Sequence, residues 1–106
     1  MTATDTIYNL NGLAATYTPS GGSGSAVTVL FREGGDLEKD GANRRHRARI
    51  KVRQSEVADR PTYRSTFLIG SDTWTIVDDG VRELKASPYH DAEWLCECSK
   101  GERVPL

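Results

Sequence analysis

Between Arg45 and Arg53 the chain reads RHRARIKVR, with a cation at every second position. Arg45, Arg47, Arg49, Lys51 and Arg53 share one parity, while His46, Ala48, Ile50 and Val52 share the other. A side-chain period of two is that of an extended strand, whereas a helix would scatter the cations around its circumference. The segment is therefore predicted to be a strand with one wet basic face and one buried face. The remaining chain must supply a core for the buried face.

That core is sought in other short apolar runs. LAATYT (13–18) reads as a strand that ends in the flexible turn Pro19-Ser20-Gly21-Gly22-Ser23-Gly24. SAVTVLFR (25–32) is a Val- and Thr-rich strand, with Val27, Val29 and Phe31 on its core side and Ala26, Thr28 and Leu30 opposite. RSTFLIG (64–70) and TWTIVD (73–78) flank Gly70-Ser71-Asp72 as a hairpin, and EWLCECS (93–99) forms the last strand with Trp94, Cys96 and Cys98 on one face. QSEVAD (54–59) suggests one helical turn with Ser55 as N-cap, stopped by Pro61, and Asp78-Asp79-Gly80 suggests another turn.

Two segments lack apolar period. Residues 1–12 read as a short helix or a flexible arm that orders on assembly. Residues 33–44 (EGGDLEKDGANR) read as a long polar loop, in which Asp40-Gly41 offers an alternative hairpin turn with projecting arms. The sum is a mainly β single domain over 1–106, a small sandwich or barrel of about six strands with a flexible loop and N-terminal arm. Its expected core is Val29, Phe31, Ile50, Val52, Phe67, Ile69, Trp74, Ile76 and Trp94.

Composition narrows function by exclusion. The 106 residues fit one core, and a hydrophobic fraction of 37% is thin enough that a partner is expected to complete some apolar surface. Net charge is −1, yet from Arg44 to Arg64 eight cations face Glu56 and Asp59, while from Ser65 onward eight carboxylates outnumber four cations. Such segregation suits head-to-tail packing of identical subunits, although a plain solvated surface has the same composition. No apolar run is long enough to span a membrane and MTATDTIYNL lacks the features of a signal peptide, so no membrane partner and a cytoplasmic site of synthesis are expected.

Candidate chemistry is sparse. His46 falls on the inward face of the basic strand and His90 in a polar turn, and no Ser or Cys stands in a nucleophile context. Cys96-Glu97-Cys98 would put two thiols on one face, but a zinc knuckle needs a wider turn and two further ligands, so they are read as small core residues. Gly21-Gly22-Ser23-Gly24 lacks the ending of a phosphate-binding loop. Neither enzyme activity, metal nor cofactor is expected. The row of cations could meet a phosphate backbone, but Phe31, Phe67, Trp74 and Trp94 fall on core faces rather than where they would stack bases.

Lys51-Val52-Arg53-Gln54-Ser55-Glu56-Val57 resembles the segment in head–tail joining proteins of tailed phages where a strand leads into Arg-x-Ser/Thr-Asp/Glu-Val. Thr66 to Ile76 (TFLIGSDTWTI) resembles their next hairpin, and Trp94-Leu95-Cys96-Glu97-Cys98 with Gly101-Glu102-Arg103-Val104-Pro105 resembles their closing strand and tail. The likeness runs from about Leu13 to Pro105 and is nearest to the head completion, or stopper, proteins of lambda-like phages and prophages. One departure is Thr62-Tyr63-Arg64-Ser65, where such proteins have Gly-Asp before the hairpin strand, so this turn must be built differently.

The resemblance implies a structural virion protein, made in the host cytoplasm, that is monomeric when free and forms a ring, usually a hexamer, in the phage neck. The ring would sit between the portal-side head connector and the tail, close the DNA-filled head and dock the tail terminator or another tail protein. Asp36, Leu37, Glu38, Lys39, Asp40, Arg44 and Arg45 are then expected at a subunit or connector interface. Arg47, Arg49, Lys51 and Arg53 would face a neighbour or the DNA channel, with non-specific DNA contact. Another ring-forming tail protein (terminator or tube) and a small nucleic-acid-binding β-barrel are the alternative readings.

Overall fold

The computed structural model describes residues 3–40 and 43–103, with side-chain surroundings for 3–34 and 46–100. A helix, α1 (Ala3–Asn11), precedes six strands: β1 (Leu13–Thr18), β2 (Ser25–Asp40), β3 (Asn43–Arg53), β4 (Thr66–Ile69), β5 (Asp72–Leu84) and β6 (Glu93–Arg103). The strands form a closed barrel in the order β1-β2-β3-β6-β5-β4, and every pairing is antiparallel. The short β4 completes the circle by pairing with β1 in the register Tyr17↔Phe67 and with β5 in the register Phe67↔Trp74.

Alternation dictates what fills the barrel. Ala48, Ile50 and Val52 of β3 are buried, as are Val29 of β2, Phe67 of β4, Trp74 and Ile76 of β5 and Trp94 of β6. Phe31 and Ile69 pack against this cluster half-buried. Tyr17 meets Phe67 and Phe31 meets Trp74, each at 5.1 Å between ring centres, in the tilted and edge-on arrangements that aromatic quadrupoles favour. Each fully enclosed large side chain contributes about 1.5–3 kcal/mol of transfer free energy. Cys96 and Cys98 are fully enclosed beside them, and burial pushes the Cys96 thiol up to about 12 and the Cys98 thiol further up. The connection after β3 lies against this core through Val57, whose carbonyl accepts from the Trp94 indole nitrogen at 2.8 Å.

Several boundaries differ from those read in the sequence. The polar stretch 33–44 follows the alternative reading, projecting hairpin arms, rather than the long loop: β2 and β3 stay paired out to Asp40↔Asn43, with residues 41 and 42 of the expected turn outside the described residues. Backbone pairing needs no apolar side chains, which is why composition concealed it. Of the two readings of residues 1–12, a short helix or a flexible arm, the helix is the one found over residues 3–11, with Thr4 and Tyr8 buried. The proposed helical turn at 54–59 is a hydrogen-bonded turn begun by Arg53, whose carbonyl accepts from the nitrogens of Glu56 and Val57. Asp78-Asp79-Gly80, read as a turn, is instead part of a bulge inside β5, where Val77 to Gly80 stand between the pairs Ile76↔Cys98 and Val81↔Cys96.

At Thr62–Ser65 the departure noted in the sequence has a direct structural counterpart. The Ser65 nitrogen donates to the Thr62 carbonyl at 3.1 Å, and Arg64 adopts φ +73°. An L-residue thus occupies a left-handed conformation that glycine adopts without steric cost.

Candidate functional site

The barrel ladders end before β2, β3 and β6 do. β1 pairs with β2 no further than Leu13↔Val29, and β5 pairs with β6 no further than Thr75↔Ser99. Beyond those points β3 remains paired with β2 to Asp40↔Asn43 and with β6 to Asn43↔Arg103. A three-stranded projection therefore stands out from the barrel, and the longest dimension of the molecule is 51 Å against 29 and 24 Å. It begins at a β2 irregularity, where Gly34, Gly35 and Asp36 lie between the pairs Glu33↔Ala48 and Leu37↔His46. Such a bulge bends the strand it interrupts.

Leu37, Glu38, Lys39, Asp40, Arg44 and Arg45 take their places in this projection as paired backbone positions, and Asp36 belongs to the bulge. Their side chains lie outside the described residues.

The basic face divides. Arg49 is exposed, with Nε 3.8 Å from Glu97 on β6, and Lys51 stands between Leu30 and Leu95 in the cross-strand register. Arg47 is half-buried at the base of the projection. Arg32 of β2 lies opposite Arg49 and adds a cation that the reading of one strand alone missed. Arg53 does not join this face. Its guanidinium donates to Asp5 at 2.9 Å and to Glu56 at 2.6 Å, and lies 4.6 Å above the Tyr8 ring. Burial opposes its charge, but Glu56 and Asp5 outweigh that and hold its pKa above the ordinary arginine value.

Arg53 thereby helps to seat α1, a contact that sequence patterning did not reveal. The Tyr8 hydroxyl donates to Glu93 at 2.6 Å, and burial followed by the Glu93 carboxylate raises its pKa. Thr4 accepts from the Asp91 nitrogen at 2.9 Å. The helix stops at Gly12, whose nitrogen donates to the Tyr8 carbonyl and where a Cβ would lie 2.3 Å from that oxygen. Ile7 and Leu10 remain exposed. The available signal was an aromatic residue and an acid in a nine-residue helix, too little to define a face.

His46 lies 3.6 Å from Glu33, His90 is exposed, and both thiols are sealed in the barrel. Among the described residues no three His, Cys, Asp or Glu side chains converge where they could hold a metal. The family model for the phage head-tail attachment protein matches residues 1–97, which span α1 and the strands up to Glu97 in β6. No curated protein matches the chain.

Proposed function

The chain belongs to the phage head-tail attachment family, and from that premise we propose that it works as a ring of identical subunits in the neck, closing the filled head and docking the tail. At the coarser level it is a structural phage protein of the virion that joins head to tail and contacts components of both. The observation that carries the ring reading is the projection of β2, β3 and β6 from a closed barrel. A barrel offers a rigid body, and a projecting sheet offers reach towards a neighbouring subunit or the head connector.

In this reading Asp36, Leu37, Glu38, Lys39, Asp40, Arg44 and Arg45 supply subunit or connector contacts. The face bearing Arg47, Arg49 and Lys51 turns to the next subunit or to the DNA channel. Asp78 and Asp79 on the β5 bulge, with Glu83 further along that strand, are exposed carboxylates suited to the first arrangement. In this reading the free subunit is monomeric, and its projection and α1, already formed in the single chain, meet neighbours as the ring assembles. Association costs each subunit its translational and rotational freedom, so a template offering many contacts at once is needed before the ring forms.

The test is head–tail joining in vitro with purified filled heads and tails. Arg47→Glu combined with Arg49→Glu is expected to reduce joining while leaving the barrel folded. Unchanged joining would remove the basic face from the mechanism. Sedimentation of the free protein is expected to give a monomer, and rings or polymers formed without heads would favour a tail terminator or tube subunit instead. DNA affinity of the monomer that falls with salt would favour the nucleic-acid-binding barrel.

A further inference from the structure

Two concavities lie side by side on the outside of the barrel and share Leu30 and Lys51. The first, about 340 Å³, is walled by Ile7 of α1 and lined by Leu30 and Leu84. The second, about 380 Å³, continues past Leu95 to Arg32 and Arg49. Strand register explains the join. Leu30↔Lys51 and Lys51↔Leu95 form one row across β2, β3 and β6, while Arg32↔Arg49 and Arg49↔Glu97 form the next outward-facing row. Rows two residues apart along a strand are about 6.6 Å apart. A row of two leucines flanking Lys51, beside α1, is thus followed at one strand repeat by a row of Arg32, Arg49 and Glu97.

The charges are out of balance within this groove. Glu93 accepts from Tyr8, and Glu97 is shared with Arg49. Arg32 and Lys51 form no ion pair with a described residue. A carboxylate from outside would complement Arg32 and Lys51, and a leucine-sized side chain would cover Leu30 and Leu95.

We infer that this groove docks an acidic segment of a head or tail component, with apolar and carboxylate side chains two residues apart in an extended conformation. The inference rests on the joining role proposed above, and for Arg49 and Lys51 it replaces the choice between a neighbouring subunit and the DNA channel with a head or tail component of stated chemistry. A polypeptide fits better than DNA, because phosphates would satisfy the cations but leave Ile7, Leu30, Leu84 and Leu95 uncovered. The aromatic rings lining the groove are also turned inwards: Tyr8 is 1% exposed and Phe31 packs on Trp74. Neither is presented for base stacking.

The experiment uses the full chain labelled with nitrogen-15 and, as probe, a short Gly-Ser peptide carrying two Leu-Ser-Glu units. Amide shifts are expected at Leu30, Arg32, Arg49, Lys51 and Leu95, and they should weaken with added salt. Lys51→Glu or Arg32→Glu, each checked for an unchanged circular dichroism spectrum, is expected to lower affinity at least about tenfold. The same peptide with lysine for glutamate is expected to bind the Lys51→Glu/Arg32→Glu double variant better than the unaltered protein. No shifts, shifts scattered over the barrel, or equal binding of both peptides by the unaltered protein would overturn the inference. Duplex DNA producing the same shifts at lower concentration would overturn it in favour of a nucleic-acid surface. Head–tail joining separates the two layers: if the unaltered protein joins and Lys51→Glu joins equally well, the groove assignment fails and the joining role stands. An unaltered protein unable to join heads to tails would sink the joining role itself.

Discussion

The Tyr8 hydroxyl donates to the Glu93 carboxylate across 2.6 Å, tying the N-terminal helix to the first residue of the last strand, 85 positions away. Arg53 lies over the same ring and binds Asp5, so the helix is held by a polar clasp with one aromatic residue at its centre. The clasp is what forms the α1 wall of the groove.

Replacing Tyr8 with Phe keeps the ring beneath Arg53 and deletes the hydroxyl. A hydrogen bond to a charged acceptor is worth about 1.5–3 kcal/mol, and Glu93 is only half-buried, so water recovers part of that. A loss near the lower end, about 1.5 kcal/mol, is expected in urea denaturation, with amide exchange in α1 accelerating more than in β3. Equal acceleration throughout the barrel would show that α1 and the barrel open as one unit.

Alkaline pH should destabilise the fold. The unfolded Cys96 thiol loses its proton near 9.0, while the folded one holds it to about 12, and Cys98 and Tyr8 shift in the same direction. Between those values the unfolded state binds fewer protons, so stability present below pH 9.0 is lost as pH rises towards 12. Each thiol contributes a slope of up to about 1.4 kcal/mol per pH unit. Denaturation curves at intervals from neutral pH upwards check this, and Cys96→Ala combined with Cys98→Ala should flatten the first part of the decline.

Thiol labelling offers a kinetic counterpart. Both sulfurs are fully enclosed, and thiolate rather than thiol is the reactive form. A disulfide reagent at neutral pH is expected to modify Cys96 and Cys98 together, at a rate set by barrel opening and accelerated by denaturant. Prompt labelling of the native protein would contradict their enclosure.

Two backbone positions should respond in opposite directions. Arg64 holds φ +73°, so Arg64→Gly relieves a left-handed conformation and is expected to stabilise by up to about 1 kcal/mol after the extra entropy of the unfolded chain is counted. A Cβ at Gly80 would lie 2.7 Å from the Glu97 carbonyl oxygen, so Gly80→Ala is expected to destabilise by about 1–3 kcal/mol through disruption of the β5 bulge. Thermal melts of the two variants decide the matter.

The legible parts of the fold were those where side chains alternate. Ala48, Ile50 and Val52 against Arg47, Arg49 and Lys51 fixed the strand and its inner face, because burial on one side imposes period two. Residues 33–40 carried no such mark, since their strand is held by backbone pairing to a neighbour that has no barrel wall behind it. Parity also placed Arg53 with the exposed cations, but parity cannot register that Asp5 and Glu56 approach from a helix and a turn. The groove was hidden for a related reason: Leu30, Lys51 and Leu95 come from three strands, and no single run of sequence contains them.

Circular closure has a further consequence for how this molecule meets others. Inside the barrel each strand has a partner on both sides, so the backbone there offers little to another chain. Along Glu33 to Asp40, β2 has β3 on one side and no barrel strand on the other. The molecule is sealed where it keeps its apolar interior and unzipped where it projects, and a foreign strand can be added to the projection without opening the barrel.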